Sequence, residues 1–110
     1  MSALPRLAAH PGGSPRAWYA VALALVAFDG VASAAVVRTP ADEANPLLAA
    51  LVGQVGVAAA MTLRVAVGAL LLTALLALSR HRIAREALAT AALVHAAVAA
   101  WHLLGPGLAA

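Results

Sequence analysis

Cysteine and lysine are both absent from the chain, phenylalanine and tyrosine occur once each, and tryptophan occurs twice. Without cysteine there is no disulfide and no thiolate metal site. The seven basic residues are all arginines, spread beside apolar runs rather than gathered in a stripe with aromatics between them. No surface for stacking bases results, so the net charge of +3 and the pI near 11.2 do not point to nucleic acid. Charge itself is scarce. Only 10% of the 110 residues are charged against 65% hydrophobic, and the mean hydropathy is +0.96. A soluble domain this long needs polar residues on the outward face of every element, and this chain lacks them. The expected solvent, and first partner, is a lipid bilayer.

What the sequence does contain is long apolar runs. The first spans about residues 17–37 and is interrupted by Asp29. At about 1.5 Å per residue, a helix of this length crosses a hydrocarbon core of roughly 30 Å. The last spans about 84–104, holds His95 and His102, and stops at Gly105-Pro106-Gly107. Between them, residues 46–79 are too long for one ordinary span, reaching about 50 Å as a single helix. Gly53 and Gly56 offer a break. The reading is a short interfacial or re-entrant helix over about 46–52 and a true span over about 57–79, with one long tilted helix as the alternative. The fold class expected is therefore all-α integral membrane, with three transmembrane helices and a short helix before the second. Residues 1–16, rich in proline and glycine, read as a disordered tail; 17–105 form the membrane domain and 106–110 an outer tail.

Arginine placement sets the orientation. Arg6, Arg16, Arg80, Arg82 and Arg85 fall on one side of a three-crossing chain, and only Arg38, with Asp42 and Glu43, on the other. This predicts a bacterial inner-membrane protein with a cytoplasmic N-terminus and an outside C-terminus. Trp18, Tyr19 and Trp101 suit the two interfaces. A rival reading takes Arg6, Arg16 and the first apolar run as a signal peptide, with a small-residue cleavage site at Ala32-Ser33-Ala34.

The polar stretch Ala41-Asp-Glu-Ala-Asn-Pro-Leu-Leu48 precedes the middle run. Asn45 is a favoured N-cap and Pro46 suits the first helical position. Asp42 and Glu43 lie where a helix dipole favours negative charge. A capped helix start accounts for the stretch, and a role for Glu43, Asn45, Pro46, Gln54 and His102 as an outer gate is compatible with it.

Asp29, Arg64 and His95 lie inside the spans, where a central charge costs about 2.5–3.5 kcal/mol even on insertion scales. Counted from the expected outer ends, they sit at depths of about 12, 10 and 14 Å. The economical arrangement is an Asp29–Arg64 ion pair facing the bundle interior with His95 in reach. Ser33 shares the face of Asp29, and His102 shares that of His95. Such a pair can do no more than dock helices, or it can form part of an ion, proton or small-molecule site. No serine–histidine or paired-carboxylate arrangement supports catalysis. His95 and His102 are seven apart, not at the i, i+4 spacing of a helical metal pair, so neither metal nor cofactor is expected. Small residues, Gly30 with Ala34 and the alanines and glycine of 58–69, allow close helix approach.

The order of these polar residues resembles the family known as domain of unknown function 5658. Its pattern is an Asp followed four on by Thr or Ser, a Glu-x-Asn-Pro turn, and a Lys in the next main helix. Here those positions are Asp29, Ser33, Glu43, Asn45, Pro46 and Arg64. The resemblance covers about residues 17–104 and implies a small three-helix membrane protein, with no activity to transfer. Arginine in place of lysine keeps the charge but loses the readily shifted pKa that proton chemistry favours. The function expected is an accessory or helix-docking role, as a homo-oligomer or within a larger membrane complex. An ion, proton or small-molecule module is the alternative, and an enzyme is not expected.

Overall fold

The computed structural model describes residues 14–109. Four α-helices follow one another: α1 (Pro15–Val36), α2 (Pro46–Val55), α3 (Val57–Ala77) and α4 (Arg82–Ala109), with a 3-10 turn at Pro40–Asp42. Among the described residues there is no strand. Three of these helices, α1, α3 and α4 as far as Gly105, are long and apolar enough to cross a membrane.

α1 begins two residues before the expected start. Ser14 Oγ accepts the Ala17 N–H at 3.1 Å, and Pro15 occupies the first turn, where no donor is needed. The expected tail, up to Gly13, lies outside the described residues. Ala22, Val26, Asp29, Gly30 and Ser33 are buried and share one helix face. That face makes α1 the middle of the bundle: it packs along both α3 and α4, which meet each other less. Backbones come close because glycines stand where they cross. A Cβ on Gly30 would collide with the Val65 side chain, and one on Gly68 would meet Val26 Cγ1 at 3.0 Å.

The break in the middle run falls at Gly56. Its φ of 88° and ψ of 167° belong to a region open essentially to glycine alone. Gly53 stays inside α2, which therefore runs to Val55 rather than ending near residue 52. The break turns α2 back so that Leu48 and Val52 pack with Val37, Ala60 and Met61. A second apolar cluster, Ala22, Val26, Leu72, Leu88 and Ala92, joins α1, α3 and α4 towards the opposite end.

One boundary needs correction. The sequence ends the last helix at Gly105-Pro106-Gly107, yet α4 continues to Ala109. Proline's φ near about −65° is itself a helical value, so the backbone can continue through it, at the cost of one hydrogen bond and of crowding with the carbonyl four residues earlier. The expected outer tail over 106–110 is thus mostly helix backbone.

Candidate functional site

Three helices contribute to one buried polar cluster. Asp29 of α1 is 2% exposed. Its Oδ2 pairs with the Arg64 guanidinium of α3. Its Oδ1 lies 2.7 Å from Nε2 of His102 on α4. An ionised carboxylate can only accept, so Nε2 carries the proton and donates. Arg64 Nη1 also donates to Ser33 Oγ at 3.3 Å, one helical turn beyond Asp29. Phe28 meets the His102 ring edge-on, with centroids 6.4 Å apart. No buried side-chain nitrogen or oxygen among the described residues lacks a hydrogen-bond partner, as a polar group out of water requires.

The level of the cluster follows from the helix ends. Asp29 stands seven residues before Val36, Arg64 seven after Val57, and His102 seven before Ala109 (36−29, 64−57, 109−102). At helical rise each is about 10 Å from its end. The sequence reading puts His95 at this level because it ends the third span at Leu104. With α4 running five residues further, the histidine that reaches Asp29 is His102. His95 lies two turns away along α4, where its Nδ1–H donates to the Ala91 carbonyl of its own helix at 2.7 Å.

The remaining residues singled out in the sequence sit on the connection and α2. Asn45 Oδ1 accepts the N–H groups of Leu47 and Leu48 at 3.0 and 3.3 Å, an N-cap on α2 with Pro46 in its first turn. Glu43 Oε1 accepts the Asn45 N–H at 3.1 Å, steadying the cap. Asp42 Oδ2 accepts the N–H groups of Arg38 and Thr39 at 2.8 and 2.9 Å. These two backbone donors hold its carboxyl below the usual carboxylate pKa. Gln54 lies with Asn45, Leu47, Leu51, Leu63 and Arg64 along a cavity of about 530 Å³ between α2 and α3.

Sequence reasoning also passes over two contacts towards the other end. Thr73 Oγ1 donates to the Ala69 carbonyl at 2.7 Å, leaving Tyr19 O–H to donate to Thr73 Oγ1 at 3.0 Å, a bond from α1 to α3. Arg85 Nη1 donates to the carbonyls of Ser79 and Arg80 at 2.9 and 3.2 Å, tying the turn after α3 to α4. A lone threonine and an arginine in the first turn of a helix carry no phase that would have marked them.

The fold and the cluster define a small all-helical protein, three of whose helices have the length and hydropathy of membrane spans. A family model, "Domain of unknown function (DUF5658)", matches residues 20–105. The chain belongs to that family. No curated protein and no solved structure matches it.

Proposed function

We propose that this chain is a three-span accessory protein of the bacterial inner membrane, built around a polar clasp that docks its helices. The observation that carries the reading is Asp29, nearly sealed from solvent and bonded at once by α3 and α4. In hydrocarbon a lone carboxylate or guanidinium is costly, and one acid shared by two donors from different helices fixes their register and rotation. The arginines of the 80–85 turn favour a cytoplasmic placement of that end, with the clasp towards the outer side. Asp29 and Ser33 both belong to the clasp, which favours α1 as a retained helix over a cleaved signal peptide. The exposed apolar side chains of α3, among them Leu63, Val67, Leu70 and Leu71, suit lipid, a second copy or a larger complex.

A double-mutant comparison tests the docking role. Asp29→Leu alone leaves Arg64 without its partner and is expected to cost about 3 kcal/mol, the low end for a broken buried pair. Asp29→Leu with Arg64→Leu removes both charges and is expected to recover most of that loss. Unfolding of the reconstituted protein followed by circular dichroism reads both. If the double variant is as unstable as the sum of the two single ones, the clasp is not a docking device.

A second reading, a small-molecule binding module, is favoured by one feature. The Arg64 side chain is 37% exposed even while it holds Asp29.

A further inference from the structure

The groove between α2 and α3 exists because Gly56 folds α2 back against the start of α3. Its volume of about 530 Å³ falls within the roughly 300–1,000 Å³ of small-molecule sites. Its walls are hydrocarbon from Leu47, Leu51, Leu63 and Val67, interrupted by Asn45, Gln54 and Arg64. Much of this surface is open sideways: Leu47 is 82% exposed, and Leu63 and Val67 about half.

The charge in the groove has one sign. Arg64 is the one ionised group in the wall, because Asp29 lies sealed behind it. Nη1 and Nη2 face inward to Ser33 and Asp29. Of the five N–H groups a guanidinium carries, the one on Nε has no acceptor among the described residues. Asn45 Oδ1 is spent on the α2 cap, which leaves its amide N–H groups as donors. Such a wall selects an acceptor with negative charge and, beside it, a hydrocarbon chain.

We propose that this groove holds one anionic phospholipid, its acyl chain along Leu47, Leu51, Leu63 and Val67 and its phosphate on the open edge of Arg64. A groove open sideways to a bilayer meets lipid at far higher concentration than any solute, and the guanidinium selects among headgroups. Arg64 then acts twice, its inner edge clasping α1 and its outer edge reading the lipid. The proposal rests on the membrane reading above, and carbonate-resistant recovery with membranes reports on that reading separately.

The test uses the full chain in detergent micelles, with bound lipid counted by native mass spectrometry. The probes are dioleoyl phosphatidylglycerol, dioleoyl phosphatidylcholine, oleate and inorganic phosphate. The expected result is one phosphatidylglycerol, bound about tenfold or more tighter than phosphatidylcholine, the scale of hydrogen bonds to a charged group. Leu51→Trp fills the groove while leaving Asp29, Ser33, Arg64 and His102 unsubstituted, so it should abolish that preference in a variant whose helix content by circular dichroism is retained. Arg64→Lys should weaken it, and if that variant fails to fold, Leu51→Trp alone still decides. Equal retention of the two lipids overturns the proposal. So does binding that survives Leu51→Trp, equal capture of oleate or free phosphate, or a second copy of the chain cross-linked into the groove. A chain that inserts and folds but shows no lipid preference sinks this proposal and leaves the docking role untouched.

Discussion

The two ends of the bundle are held by different chemistry. Towards the turn that carries Arg80, Arg82 and Arg85, α1, α3 and α4 share one apolar cluster, with Leu88 fully buried at its centre. At the end that carries α2, the apolar cluster of Val37, Leu48, Val52, Ala60 and Met61 draws on the residue just after α1, on α2 and on α3, and includes nothing from α4. There α4 is joined to α1 by the His102–Asp29 bond. In lipid, apolar contacts gain little from exclusion of water and depend on packing, whereas a hydrogen bond between helices has a direction and a fixed partner. The first end is thus set by shape and the second by polarity. Only the second ties all three long helices to a single atom group.

Removing a central side chain at each end separates these two modes of support. Leu88→Ala opens a cavity among three helices and is expected to cost about 2–3 kcal/mol, felt as a lower unfolding midpoint for the whole protein. His102→Phe removes one hydrogen bond while keeping an aromatic ring beside Phe28. Its expected cost is smaller, about 1 kcal/mol, and confined to one helix end. The natural absence of cysteine makes the locality measurable. With His102→Phe, a thiol introduced by Ala99→Cys should be labelled faster, while one at Ala92→Cys should not change. Equal acceleration at both positions would show that the histidine supports the entire bundle, and the contrast between the ends would fail.

Much of this architecture is legible in the residues. Apolar run length predicts the three long helices. A run of residues 46–79, too long for one crossing, with Gly53 and Gly56 near its start, predicts the break, although only the backbone tells which glycine makes it. Asp29 and Arg64 can be matched because each is the sole charge of its run, so depth alone pairs them. The histidine is harder. Two candidates lie two turns apart in a helix rich in alanine, where no hydrophobic stripe gives the rotation, and the choice rests on where α4 ends. Reading Gly105-Pro106-Gly107 as the stop moves the level by five residues and selects His95 over His102. The groove lies further out of reach. It depends on the angle at which Gly56 returns α2 to α3, a property of one φ/ψ pair rather than of residue type.

The smallest expected effect concerns the connection above the clasp, where a carboxylate works in the open. Asp42 accepts from Arg38 and Thr39 on a fully exposed turn, and these backbone donors lower its pKa relative to the unfolded chain. A depressed acid stabilises the folded form at pH above its unfolded value, about 3.9. That contribution is lost only as pH falls through the lower folded value. The turn should therefore keep its geometry down to the ordinary carboxylate range and loosen only in stronger acid. Amide chemical shifts of Arg38 and Thr39, followed in micelles against pH, should titrate with a midpoint below the usual one, and Asp42→Asn should abolish the titration. Because the group is exposed, the unfolding midpoint near neutral pH should not move measurably in that variant. A clear drop would mean that this turn carries strain from the clasp end, so that the acid in water and the acid buried at Asp29 act as one support.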